Sequence, residues 1–253
     1  INLPPRSLKS HCASIAFPGW LLGHNPSARI ISVSYAQDLS DKLARDCRTL
    51  MNSSAYRGLF PGTRLSASKQ SVSEFVTTEQ GFRLATSVGG TLTGRGADFI
   101  IIDDPIKPTD ALSEVVRNGC NDWFDNTLLS RLNDKVNGCI IIIMQRLHQD
   151  DLVGHVLEQE GWEVLSFPAI AEQDETHIIK DQFGRSLFTR KTGEALQQDR
   201  EPLAALEKIR ERIGDYNFLS QYQQQPAPLG GAMIKTAWLR YYEAGDKPQR
   251  FSQ

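Results

Sequence analysis

Two carboxylates side by side at the end of an apolar run are the residues of this chain best suited to chemistry. Asp103 and Asp104 follow Phe99, Ile100, Ile101 and Ile102 within G-R-G-A-D-F-I-I-I-D-D-P, residues 94–105. One such carboxylate can hold Mg²⁺, directly or through water, while the next orients or deprotonates a water. That is the Walker B arrangement of a nucleoside triphosphatase. The plainer alternative is a buried strand ending in an Asp-Asp-Pro turn. Near the start, Lys9 and Ser10 match the last two positions of the phosphate-binding pattern G-x-x-x-x-G-K-[ST], with Leu3 and Leu8 replacing both glycines. A loop entering a helix N-terminus offers N–H groups to phosphate. Lys9 would then reach the β/γ-phosphates and Ser10 the Mg²⁺. Leu8 lacks glycine's freedom, at a cost of about 1 kcal/mol or more if its φ must be positive.

Two further polar residues belong to the same chemistry. Arg95, with glycines on both sides, is free to project as an arginine finger or to serve as an ordinary turn arginine. Gln145 ends the run C-I-I-I-I-M, residues 139–144, where it can sense a γ-phosphate or its water, or simply bond a neighbouring loop. His148 and His155 have no H-E-x-x-H pattern around them, so no zinc site is expected.

The elements that must position these residues alternate as strand and helix. Residues 29–34, 99–103 and 139–144 are short, β-branched apolar runs of the kind buried on both faces in a parallel sheet. In open α/β sheets, ligands bind beyond the carboxyl ends of such strands. Gly81 to Ser87 alternates as a half-exposed strand, and Glu163 to Phe167 predicts a fifth strand ended by Pro168. Helices are predicted over His11 to Trp20, Asp38 to Met51 with Asp38 as its cap, Ser113 to Leu132, a stretch after the capping pair Asp150-Asp151, and Pro202 to Ile213. Residues 52–80 and 171–200 read as polar loop and excursion, and Pro226 to Gly231 as a linker.

Composition narrows the class. The chain has 253 residues, 40% hydrophobic and 23% charged, in the range of one large α/β domain. Its apolar runs are far too short to cross a membrane. A net charge of −2 argues against nucleic-acid binding through a broad basic surface. Cys12, Cys47, Cys120 and Cys139 are widely spaced and read as reduced thiols of a cytosolic protein. The chain begins at Ile1, almost inside a motif, and reads as a fragment.

Together, P-P-R-S-L-K-S, S-Y-A-Q-D-L-S-D-K-L-A-R-D-C-R, G-R-G-A-D-F-I-I-I-D-D-P, I-I-I-M-Q-R-L-H-Q-D-D-L and Y-Q-Q-Q-P-A-P-L-G-G resemble, in that order, the ATPase half of phage terminase large subunits. The resemblance implies an α/β P-loop NTPase fold of the ASCE type, a mostly parallel sheet flanked by helices with a small lid-like excursion. It divides the chain into an N-terminally truncated ATPase domain, residues 1–225, with 168–225 lid-like, and residues 226–253 as a linker leading toward a nuclease domain that is absent; no nuclease activity is expected.

By the same resemblance, Lys9 and Ser10 are the variant Walker A lysine and hydroxyl, and Arg6 touches phosphate from the same loop. Asp103 is the magnesium carboxylate. Asp104 stands where many relatives have the catalytic glutamate, Arg95 is a finger acting on a neighbouring subunit, and Gln145 lies in the motif that couples hydrolysis to DNA movement, where relatives carry Thr or Ser. The implied cofactors are ATP and Mg²⁺. The implied partners are double-stranded DNA, the portal protein, the terminase small subunit and further copies in a ring, with no membrane, in the host cytoplasm and transiently at the procapsid portal vertex. The rival readings are an inactive prophage remnant of that motor and another P-loop translocase, such as a helicase.

Overall fold

The computed structural model describes residues 1–181 and 184–227. The linker and domain start expected at 226–253 thus lie, beyond residue 227, outside the described residues. A central sheet of six strands has the order β2-β3-β4-β1-β5-β6. Its strands are β1 (Arg29–Ser34), β2 (Leu65–Gln70), β3 (Glu74–Thr77), β4 (Phe82–Ser87), β5 (Phe99–Asp103) and β6 (Cys139–Ile143). Strands β4, β1, β5 and β6 run parallel, and β3 and β2 extend the sheet antiparallel.

The apolar runs form strands because both faces of the sheet are covered. Ile100 and Ile102 point into one core with Ile31, Val33 and Ile142, while Ile101 points into the other with Ile30, Ile143 and Leu22. Each such side chain contributes about 1.5–3 kcal/mol by leaving water. The second core is closed by α1 (Phe17–His24), which follows a wide helical turn at His11–Ala16, and by α2 (Gln37–Asn52). The first is closed by α4 (Glu114–Trp123) and α5 (Leu152–Leu157), and α3 (Ser54–Leu59) follows α2. Beyond the main sheet, β7 (Glu175–Asp181) and β8 (Gly184–Arg190) make an antiparallel hairpin, and α6 (Leu203–Asn217) packs Leu206 against Ala169, Ala195 and Phe218. Among the described residues no helix is long and apolar enough to cross a membrane.

Several expectations are corrected. Residues 52–80 contain α3, β2 and β3, and 171–200 contain the β7–β8 hairpin. Helix α2 starts one residue before Asp38, which lies in its first turn instead of capping it; the cap position is Ala36. The helix expected over 113–132 leaves α-geometry after Trp123. Strand β4 alternates as expected, with Phe82 and Leu84 partly buried, and its other face is closed by α2, so that Arg83 is wholly buried.

Glu163 to Phe167 forms no strand, for a reason visible in the sheet. Among the described residues its only pairing is a parallel bridge from Ser166 to Asn2, which also bridges Met144 at the tip of β6. Asn2 donates to Leu165 O at 2.8 Å and accepts from Phe167 at 2.9 Å, as a strand between two neighbours would. Behind Asn2, between β6 and residues 161–165, lies a cleft of about 640 Å³ lined by Cys139, Ile140, Ile141, Leu157 and Val164. Apolar groups are exposed along it, including Val164 at 52% and Leu157 at 41%. Pairing two or more β-branched side chains into this cleft contributes about 1.5 kcal/mol each, and a chain of this size gains about 2–4 °C per kcal/mol. A six-residue valine- and isoleucine-rich extension on the amino side of Ile1 is therefore expected to raise Tm by about 5 °C or more over a Gly-Ser extension of equal length; equal melting curves would refute it.

Candidate functional site

The strand end and the loop, far apart in sequence, meet. Phe99, Ile101 and Asp103 share one face of β5, and that face lies under the helix entered at Lys9. Ser10 Oγ donates to Asp103 Oδ1 at 3.0 Å and Ser14 Oγ to Asp103 Oδ2 at 2.7 Å. Asp103 is 1% exposed. Burial pushes its carboxyl above the usual range, while Ser14, Ser10, Lys9 and Arg83 pull it back.

Lys9 is also buried, and its Nζ donates to Gln145 Oε1 at 2.9 Å and lies 3.8 Å from Asp104 Oδ1. Burial lowers the ammonium pKa, opposed by Asp104 and Asp103. Asp104, partly buried, has its carboxyl raised to about 6, chiefly by burial and against the pull of Lys9. Its backbone closes the strand tips: its N–H donates to Ile143 O at 2.9 Å and its carbonyl accepts from Tyr35 at 3.0 Å.

These side chains border a cavity of about 410 Å³ lined by Pro5 to His11, Asp104 and Gln145. The loop is wound by unusual backbone: φ is +62° at Arg6, +58° at Leu8 and +46° at Asp104. Leu8 thus adopts the left-handed conformation anticipated for a glycine position, and its side chain is 63% exposed, which lets the Cβ-bearing residue fit. Arg200 Nη1 donates to Arg6 O at 2.6 Å and holds the loop from outside. The first helical turn leaves N–H groups directed toward the cavity side of the loop.

The structure thus brings together Arg6, Lys9, Ser10, Asp103, Asp104 and Gln145. It does not bring Arg95 to them. Arg95 makes a two-pronged pair with Glu74 at 2.8 and 2.7 Å and lies over the Phe82 ring. The donor set fits one ion of the Mg²⁺ type. Among the described residues no three His, Cys, Asp or Glu side chains cluster, and Mg²⁺ takes one or two protein oxygens, keeping water and phosphate for the rest. Ser10 and Asp103, 3.0 Å apart, are the oxygens that could hold such an ion.

Sequence reasoning missed Ser14 and two further supports. Asp151 caps α5, as expected of the Asp pair, but also accepts from Leu147 N at 2.9 Å and pairs with Arg146 at 3.0 Å. Gln224, with φ +61°, accepts from Arg146 N at 2.9 Å, next to Gln145. Gln223 both accepts from Ile170 N at 2.9 Å and donates to Ile170 O at 3.0 Å, and Gln225 donates to Glu172. The signal for these was the run Y-Q-Q-Q-P itself: three amides in succession have donors and acceptors to satisfy.

Two outcomes follow. Leu8→Gly removes left-handed strain of about 1–2 kcal/mol but loosens the unfolded chain by up to about 1 kcal/mol, so denaturation should find it neutral to about 1 kcal/mol more stable. Leu8→Val should be less stable than the parent; the reverse order would mean that the leucine packs. The raised Asp104 carboxyl is protonated in the folded chain and ionised in the unfolded one between pH about 4 and about 6. Its stabilising contribution is therefore complete below the unfolded value and lost as pH rises through about 6. In metal-free buffer the stability advantage of Asp104→Asn over the parent should grow between pH 4 and pH 7; a constant difference would refute the raised value.

No family profile matches the chain, and no curated protein is similar to it. Among solved structures, the chain is similar to the large terminase ATPase domain of Thermus phage P74-26, in an arginine-to-alanine variant. The identity is 15%, with 89% of this chain and 87% of that one covered and a TM-score of 0.52. What that likeness shows is the fold alone: an α/β architecture with a six-stranded, mostly parallel sheet flanked by helices, similar to that domain.

Proposed function

We propose that this chain is the ATP-hydrolysing motor domain of a phage large terminase, driving double-stranded DNA into a procapsid. The observation that carries this reading is the contact of Ser10 with Asp103 at 3.0 Å, beside Lys9 and Asp104, across 93 residues of sequence. A hydroxyl at the start of a helix, a lysine and one strand-end carboxylate around an open cavity, with a second, buried carboxylate bonded to that hydroxyl, are what phosphoryl transfer to water requires. The terminase-like fold supports the choice among P-loop ATPases.

In this reading Lys9 and Arg6 hold the phosphates, and the N–H groups of the first helical turn add a fixed positive field. Ser10 and Asp103 would hold Mg²⁺, which neutralises phosphate charge when bound. Asp104 orients the attacking water and accepts its proton. Gln145 holds Lys9 in the present structure, and a phosphate would take over that ammonium, freeing the Gln145 amide at the tip of β6. Arg95, which lies away from its own chain's site, would leave its pair with Glu74 to serve a neighbouring copy in a ring. Such fingers are worth roughly 10³–10⁵ in rate. The portal and the small subunit are the remaining partners of this reading. Residues 168–225, with their own hairpin and small core, act as a lid.

Leu8 favours a second reading, a remnant that keeps the fold without turnover, because its strained backbone stands in the phosphate loop. The two are separated by Mg²⁺-dependent ATP hydrolysis at high protein concentration. A motor loses at least about 100-fold of its turnover in Lys9→Ala and in Asp104→Ala, a loss in the range typical of a positioned acid–base group. Arg95→Ala is also slow, and mixing it with Asp104→Ala restores part of the rate. Absence of turnover in the parent chain and in Leu8→Gly, with no nucleotide bound, would establish the remnant.

A further inference from the structure

Among the described residues Arg83 is the largest wholly buried side chain, and no carboxylate forms an ion pair with it. A buried guanidinium without such a partner is costly. Burial lowers its pKa, and Cys47, Asp103 and Asp41 act in the opposite direction. Its one hydrogen bond runs from Nη2 to Ser14 O at 3.1 Å, and Nε and Nη1 have no partner among the described residues.

That carbonyl lacks its ordinary α-helical donor for a reason written in the sequence. In an α-helix Ser14 O would accept from the N–H of residue 18, and residue 18 is proline, which has none. The helix widens there instead: Phe17 N donates five residues back, to Cys12 O. The same Ser14, itself 0% exposed, sends its hydroxyl to Asp103 Oδ2 at 2.7 Å. The sheet register agrees. Arg83 aligns with Ile30, and Ser32 with Ala85 and Ile101, so Arg83, Ser32 and Asp103 step diagonally across one face of β4, β1 and β5. Ala85 leaves that diagonal open.

We propose that Arg83 is a positioning residue for the metal-binding carboxylate: by holding the carbonyl that Pro18 leaves without its α-helical donor, it fixes the helix turn whose Ser14 hydroxyl aims Asp103, and its charge balances the carboxylate from within the core. The inference rests on the ATPase reading of the site. It assigns to the wide helical turn the task of presenting one residue to two partners, backbone toward Arg83 and side chain toward Asp103. Groups that orient a metal ligand from behind typically change metal affinity 10–100-fold when removed.

The test uses the full chain with a fluorescent ATP analogue, titrated with Mg²⁺ and repeated in EDTA, after thermal melting has shown each variant folded. Arg83→Met and Ser14→Ala are each expected to raise the Mg²⁺ concentration for half-maximal binding about tenfold, with metal-free nucleotide binding unchanged. Arg83→Lys restores part of the loss. The double variant Arg83→Met/Ser14→Ala is no worse than the poorer single one, because both lie on one path. A folded Arg83→Met with the parent's Mg²⁺ requirement overturns the proposal. Where Arg83→Met does not fold, an unchanged Mg²⁺ requirement in Ser14→Ala overturns it equally. A parent chain that binds the analogue neither with nor without Mg²⁺ refutes the ATPase reading, and the proposal with it.

Discussion

A carboxylate held almost wholly out of water is the constraint on which this structure turns. Asp103 ends a strand whose other residues are apolar, and it stays on the strand's buried face because the strand's register leaves it no other. Removing an ionised carboxylate from water is tolerable only with hydrogen bonds and opposite charge close by. The chain supplies both from separate places: two serine hydroxyls from one helix face, a lysine at its start, and an arginine two strands away on the same face of the sheet. The helix after residue 9 and strands β4, β1 and β5 are thus tied to one another through a single side chain.

The cavity beside it is bordered by strained backbone. Arg6, Leu8 and Asp104 all take positive φ, and none is glycine. Residues of this kind persist where their surroundings over-determine them, and they cluster at functional sites. Here the reasons are specific. The loop must turn sharply enough to aim Lys9 inward, Arg200 clasps it from outside, and Asp104 must leave the strand while its N–H and carbonyl still bind Ile143 and Tyr35.

Much of this was legible in the residues. The runs at 29–34, 99–103 and 139–144 announced parallel strands because continuous β-branched apolar sequence has few other uses. Asp103, Asp104 and Gln145 fell at strand tips as the pattern required. The polar strand β2 and the exposed β7–β8 hairpin were not legible, since pairing, not burial, makes them strands, and the buried run of β3, Phe75 to Thr77, is only three residues long. Glu163 to Phe167 looked like a strand by composition, yet a strand needs a neighbour along its length and this one has only Asn2. The alternation of residues 81–87 was legible, but not that the face carrying Arg83 is closed, because helix α2, which covers it, comes from elsewhere in the sequence. The parts played by Ser14 and Gln224 depend on partners 69 and 78 residues away, which local pattern cannot reveal.

The three adjoining glutamines carry a mechanical consequence. Gln223 grips Ile170 by both its N–H and its carbonyl, Gln225 reaches Glu172, and Gln224 reaches the backbone of Arg146. Residues 223–225 therefore form a clamp: several bonds tie them to Ile170 and Glu172, just before the small hairpin, and one ties them to the peptide unit beside Gln145.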